Sequence, residues 1–355
     1  MLKNRRSRLK PFFEDNALDA ILFTNLTNIR YLCGFSGSDG VLLLTRGEAW
    51  FLCDSRYTTQ ASAEVGDAEI REYAAKYEAI CSLISDKGIR RFGFEASHML
   101  VSDFRQLTER LPGSELVGIG ETLDAIRSRK DPGEIELLGR VAALASDSLQ
   151  SVLTFIRPGL RESDLALELE IEMRRRGADG RAFDFIVASG VRGAMPHGKA
   201  SDKLLRAGEL VNIDFGAVKD GYHSDETVTV ALGRPDEQGC EIHEIVRQAH
   251  DRAIAAVRPG MSCRDLDAIA RDYIREQGYE RCFGHGLGHG VGLDIHEKPV
   301  VSPRSETIIE EGMVFTIEPG IYVPGFGGVR IEDTVVVTAD GCRLLTQAPK
   351  ELIQL

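Results

Sequence analysis

Three of the eight histidines of this 355-residue chain fall in one short stretch, GHGLGHGVGLDIHE, at His285, His289 and His296. Neutral imidazole is the commonest side-chain ligand for transition metals and titrates near neutral pH, so the cluster points to metal binding or proton transfer. Glycine occupies every other position from Gly284 to Gly292. Such a run gives up side-chain packing, which predicts that something approaches its backbone closely, a metal or a substrate being the natural candidate. Dinucleotide binding does not fit. The sixth residue from Gly284 is His289 and from Gly286 is Val291, so G-x-G-x-x-G is never completed.

Four carboxylates form two matched pairs. The segment AGELVNID ending at Asp214 aligns with EGMVFTIE ending at Glu318, and DETVTV from Asp225 aligns with EDTVVV from Glu332. Strand alternation sets Asn212 and Asp214 against Val211, Ile213 and Phe215, and sets Thr316 and Glu318 against Phe315 and Ile317. Asp225, Thr227 and Thr229 likewise share a face, as do Arg330, Glu332 and Thr334. If the two copies pack about a pseudo-twofold axis, the four acids converge on one cavity and raise one another's pKa. Two divalent cations would cancel their charge. Carboxylates plus an imidazole suit Mn²⁺, Fe²⁺, Co²⁺ or Zn²⁺ better than Ca²⁺, and the lack of a matched cysteine argues against a structural zinc site. Such a pair of ions generates hydroxide from water at neutral pH and polarises a carbonyl for hydrolysis. Each acid alone would read as a solvated strand end; the symmetric pairing changes that reading.

The elements that must position these groups repeat as well. Asp131 as cap, Pro132 in the first turn and Glu134 in a capping-box position predict a helix start, followed by an apolar stripe at Leu138, Val141, Ala145, Leu149, Val152 and Ile156. That helix runs into Arg157-Pro158-Gly159, and a second one, carrying Ile242, Val246, Ala249 and Val257, runs into Arg258-Pro259-Gly260. Leu165 matches Leu266 at the same offset, and Gly177 matches Gly278, each glycine placed to end a helix. The second part of the chain therefore reads as two copies of a helix-helix-strand unit. The first part alternates apolar runs at Ala20–Phe23, Val41–Leu44 and Trp50–Cys53 with helical patterns at Arg56–Val65 and Arg71–Ile84, a small α/β domain without a cluster of His, Asp or Glu. The predicted architecture is α/β (α+β), with domains at 1–126 and 127–355 joined in the RSRKDPGE segment.

Composition is that of a soluble globular protein, 43% hydrophobic and 28% charged. The basic N-terminal stretch, MLKNRRSRLKPFFEDN, has no apolar core or cleavage site of a signal peptide and reads as an amphipathic first helix of a cytoplasmic protein. No run is long enough for a membrane span. A formal charge of −12 argues against nucleic acid as a partner. Seven cysteines without C-x-x-C predict reduced, mostly buried thiols.

Taken together, PHGKASDKLLRAGELVNIDFG, GYHSDETVTV, HGLGHGVGLDIHE, EEGMVFTIEPGIY and GVRIEDTVVV resemble, in order, the motifs of the pita-bread metallopeptidases of the proline-directed branch, Xaa-Pro aminopeptidase and prolidase. The resemblance implies a creatinase-type N-terminal domain followed by a pita-bread catalytic domain with an internal pseudo-twofold repeat. It also implies that Asp214 chelates one divalent metal, that Asp225 and Glu332 bridge two, and that His289 with Glu318 completes the second site. Mn²⁺ is the expected ion, with Co²⁺ or Zn²⁺ as alternatives. Glu318 would also handle the proton of the attacking water, His197 and His296 would bind the peptide and stabilise the tetrahedral intermediate, and His285 and Arg330 would be outer members on the substrate side. One departure is Val228, where many relatives carry arginine; on a strand it should face away from Asp225. In the N-terminal domain NIRYL, GSDG and DSRY resemble the aminopeptidase form, which puts cleavage of peptides with proline at the second position, by metal-bound hydroxide, ahead of Xaa-Pro dipeptide hydrolysis as the expected activity. A homodimer is implied too. A metal-free amidine hydrolase or a non-catalytic binding protein of this fold would have lost metal ligands, and all five are present.

Overall fold

The computed structural model describes residues 2–355, which divide after Arg127 into two compact units. Within the first unit lie strands β1 (Ala20–Phe23), β2 (Val41–Thr45), β3 (Ala49–Cys53), β4 (Glu69–Glu72), β5 (Arg91–Glu95) and β6 (Glu115–Ile119). They form one sheet in the order β4-β3-β2-β1-β5-β6, antiparallel at β1/β2 and β2/β3 and parallel elsewhere. Helices α1 (Leu2–Ser7), α2 (Lys10–Asp15), α3 (Leu26–Cys33), α4 (Thr58–Glu64), α5 (Lys76–Asp86) and α6 (Val101–Arg110) complete it. β1 to β3 are buried almost throughout, which is why their sequences read as apolar runs.

Two local expectations change. The single N-terminal helix is two short ones, because Pro11 starts a new helix and its ring is incompatible with a continuous turn through Ser7. The helical pattern from Arg71 begins only at Lys76. Residues 69–72 instead pair in parallel with β3, whose ladder outweighs a weak local helix preference.

The second unit holds helices α7 (Pro132–Val152), α8 (Glu162–Arg175), α9 (Glu237–Ala256) and α10 (Cys263–Glu276). α7 opens with the expected capping box: Glu134 N donates to Asp131 Oδ1 at 3.0 Å, and Asp131 N to Glu134 Oε2 at 2.9 Å. Its strands are β7 (Gly180–Arg181), β8 (Ile186–Ser189), β9 (Leu210–Phe215), β10 (Ala217–Lys219), β11 (Tyr222–His223), β12 (Glu226–Ala231), β13 (Gly288–Gly290), β14 (Glu297–Val301), β15 (Val314–Ile317), β16 (Gly320–Val323), β17 (Gly327–Arg330), β18 (Asp333–Val337), β19 (Cys342–Leu344) and β20 (Ile353–Gln354).

The repeat is visible in how these pair. β8, β9 and β12 are successive antiparallel neighbours in the sheet β20-β12-β9-β8, and β13, β15 and β18 are successive antiparallel neighbours in β14-β13-β15-β18-β19. Each set follows a helix pair, α7/α8 or α9/α10. The glycines after α8 and α10, Gly177 and Gly278, both adopt left-handed φ, at 97° and 88°, which only glycine does without strain. Behind the second set, Ile242, Val246 and Ala249 of α9 and Leu266 of α10 pack with Phe315, Ile317 and Val335 into one apolar core. Among the described residues no helix is long and apolar enough to cross a membrane.

Candidate metal centre

Asp214 lies on β9, Glu318 directly follows β15, and Asp225 and Glu332 directly precede β12 and β18. Equivalent positions of the two copies thus deliver the four acids. The strand starts cross: Thr227 bridges Glu332 in the backbone, its hydroxyl donates to Glu332 Oε2 at 2.6 Å, and the Thr334 hydroxyl donates to the Asp225 carbonyl at 2.8 Å. Asp214, Asp225 and Glu332 are buried.

His289 comes from β13. Its Nε2 is 3.4 Å from Asp225 Oδ2 and 3.5 Å from Glu318 Oε1, while Nδ1 pairs with the Gly290 carbonyl at 3.1 Å. A proton on Nδ1 leaves the Nε2 lone pair facing the acids, as a metal ligand requires. One ligand atom each from Asp225, His289 and Glu332 lies within 4.8 Å of the others.

The alternating glycines serve this strand. A methyl group on Gly286, Gly288 or Gly290 would collide with the carbonyls of Val301, Thr316 and Lys298, so β13 runs where its neighbours β14 and β15 leave room for no side chain. The close approach read from the sequence is real, but the approaching chain is the protein's own.

Electrostatics explain what the acids lack. Burial first, then repulsion from neighbouring carboxylates, pushes the Asp225 and Glu332 carboxyls well above their ordinary range. Glu318 is raised from 4.5 to about 7, again chiefly by burial. Mutual repulsion, the cause expected from the sequence, is the smaller part. Asp214 Oδ1 is buried without a hydrogen-bond partner. A buried, orphaned carboxylate oxygen beside three acids and an imidazole lone pair fits a divalent cation and little else.

The raised groups make a pH-dependent prediction. Glu318 in the folded metal-free protein binds its proton more tightly than in the unfolded chain, so this contribution to stability is full below about pH 4.5 and is lost as pH rises through about 7. Cations compete with those protons. The rise in Tm on adding Mn²⁺ should therefore grow by roughly 5 °C or more between about pH 5 and pH 7.5. Scanning fluorimetry with and without chelator measures it, and a flat or declining gain would contradict the assignment.

His296 lies just before β14 with its ring centroid 4.3 Å from that of His289, and is exposed. Its loop is held from beneath by the buried pair of Lys130 Nζ and Glu297 Oε2 at 2.9 Å, whose side chains are 1% and 2% exposed. His197 is exposed on the loop after β8, next to Pro196, whose carbonyl accepts from the Arg330 guanidinium at 3.2 Å.

Arg330, expected among the outer members of the site, lies behind Asp214. It is 3% exposed, and its guanidinium donates to Asp214 Oδ2, Thr227 Oγ1, the Pro196 carbonyl and the Tyr322 hydroxyl, so it stands behind Asp214 and orients it. Tyr322 joins Arg330 at 2.8 Å to His285 Nε2 at 2.9 Å. His285 is thereby linked to Arg330 through Tyr322, its pKa lowered to about 4 mainly by burial. Tyr322 was not singled out from the sequence, although it follows Glu318 in EPGIY; nothing in its type or spacing announces a buried relay. Val228 is buried and pairs with Ile213, on the face of β12 turned away from Asp225 as expected.

Comparison with known proteins agrees with this construction. Residues 136–339 match the model of metallopeptidase family M24, and residues 5–129 match the creatinase/prolidase N-terminal domain. The Xaa-Pro dipeptidase of Pyrococcus furiosus is 38% identical over 99% of this chain and 100% of its own length. A solved Xaa-Pro dipeptidase from Bacillus anthracis superposes with a TM-score of 0.98 at 41% identity, covering 100% of both chains. An X-Pro aminopeptidase structure from Thermotoga maritima MSB8 gives 0.91 at 38% identity, covering 96% of this chain and 99% of that one. With both matches spanning its length and the acids and imidazole assembled as described, this chain belongs to metallopeptidase family M24 and carries a creatinase/prolidase N-terminal domain.

Proposed function

We propose that this chain is an Xaa-Pro dipeptidase whose metal ligands are Asp214, Asp225, His289, Glu318 and Glu332. The observation that carries the substrate assignment is the full-length likeness to the Bacillus anthracis dipeptidase, supported by the Pyrococcus furiosus relative. This reverses the order read from the N-terminal motifs, which put the aminopeptidase first. The Thermotoga maritima structure keeps aminopeptidase action as the second reading. Manganese as the working ion, two ions per site, a homodimer, and domains at 1–126 and 127–355 belong to the same proposal. So does a cytoplasmic location, which suits seven free cysteines.

When bound, divalent ions neutralise the carboxylates and act as Lewis acids toward a carbonyl and a water. The side chains do the rest. Glu318, held by the Thr316 hydroxyl at 3.2 Å from Oε1, accepts the water's proton and delivers it to the departing proline nitrogen. His296 and His197, both exposed at the site, donate to the oxygen on which negative charge develops. Arg330 holds Asp214 in place through its Oδ2.

Rates on an Xaa-Pro dipeptide and on the matching Xaa-Pro-Yaa tripeptide decide between the readings. The dipeptide is expected to have kcat/KM at least about tenfold higher, roughly 1.4 kcal/mol of discrimination. A tripeptide cleaved as well or better would install the aminopeptidase instead.

A further inference from the structure

Behind the metal-facing carboxylates lies a second acid pair. Glu226 and Asp333 immediately follow Asp225 and Glu332 in sequence, and chain alternation turns them to the opposite side. Both are buried, at 0% and 2% exposure. One ammonium serves both: Lys350 Nζ is 2.6 Å from Glu226 Oε1 and 3.2 Å from Asp333 Oδ1, and the lysine side chain is 11% exposed.

The C-terminal segment closes around this group. Ala348 N donates to Glu226 Oε1 at 2.8 Å, Ser146 Oγ donates to Glu226 Oε2 at 2.6 Å, and the Thr346 hydroxyl donates to Asp333 Oδ1 at 2.5 Å. His250 Nε2 lies 3.2 Å from Asp333 Oδ2. The segment is tied to β18 through Leu345 N and the Thr334 carbonyl at 2.8 Å, and to β12 by the parallel pairing of β20. Lys350 thus contacts both halves of the repeat, through Glu226 of the first and Asp333 of the second.

We propose that Lys350 is a positioning residue for the metal centre. Asp225 and Glu332 repel each other across the cavity, and each is the residue before a strand start. A shared counter-ion on the far side clamps those two starts together through Glu226 and Asp333, and so fixes the separation of the two ligands. Without it, the two buried carboxylates keep their hydrogen bonds but lose the one charge they share, and their mutual repulsion shifts the preceding ligands with them.

The inference rests on Asp225 and Glu332 being ligands, and the experiment separates the two claims. Calorimetric titration of Mn²⁺ into chelator-treated full-length protein compares wild type, D225N, K350M and K350R, each checked by circular dichroism and held well below its unfolding temperature. K350M should bind roughly 10- to 100-fold more weakly, while K350R, which keeps the charge, stays within about threefold. A purely structural lysine would lower Tm with and without metal yet leave affinity at the wild-type value, and that result overturns the proposal. If K350M does not fold, E226Q/K350M removes one buried charge of each sign and should still bind at least about tenfold more weakly; wild-type affinity there is equally fatal. D225N binding Mn²⁺ as well as wild type would refute the ligand reading itself, and the proposal with it.

Discussion

Replacing Asp225 with Asn should lower divalent-metal affinity by at least ~100-fold and abolish Xaa-Pro hydrolysis, while leaving the metal-free protein as stable as before or more so. The two signs have one cause. Asp225 is 5% exposed, faces His289 Nε2 at 3.4 Å, and has its carboxyl pushed far up by burial and by Glu332, Asp214 and Glu318. Without metal, its charge is a buried liability, and an isosteric amide relieves it. With metal, the same charge is the main attraction. Metal analysis after reconstitution and thermal melts in chelator test both halves. A variant that loses metal and also melts far earlier in chelator would mean that Asp225 serves the fold and not the ion.

Replacing His296 with Ala should cost about 10²- to 10³-fold in kcat with bound metal unchanged. His296 packs against the His289 ring but is exposed, and the metal-facing oxygens are all drawn from other residues. Its buried neighbour Glu297, fixed by Lys130, anchors the loop that carries this proposed catalytic imidazole. KM should change much less than kcat, since the bond to the substrate oxygen strengthens only as charge develops. Loss of metal from the variant would reassign His296 as a ligand.

Much of this site was legible in the sequence because the chain states it twice. The pairing of Asp214 with Glu318 and of Asp225 with Glu332 needs only the repeat and strand alternation, and both sets occupy equivalent strand positions. The capping box at Asp131 and the glycines at 177 and 278 were equally plain, being local rules met by local residues. What escaped depends on partners far along the chain. Arg330 was an outer member of the site only by resemblance, and its burial against Asp214 depends on folding. Tyr322, Lys130 and Lys350 look ordinary in sequence and acquire their roles only where folding sets them beside His285, Glu297, Glu226 and Asp333. The glycine run told of a close approach but could not say by what, since packing against β14 and β15 and clearance for a substrate leave the same trace.

The most direct test follows dipeptide hydrolysis and metal uptake together as Mn²⁺ is titrated into the chelator-treated protein. No turnover of an Xaa-Pro dipeptide is expected without metal, and activity should rise with occupancy and saturate at about two ions per chain. Turnover that persists in chelator, or a fully loaded protein that leaves the dipeptide intact, would contradict the assignment.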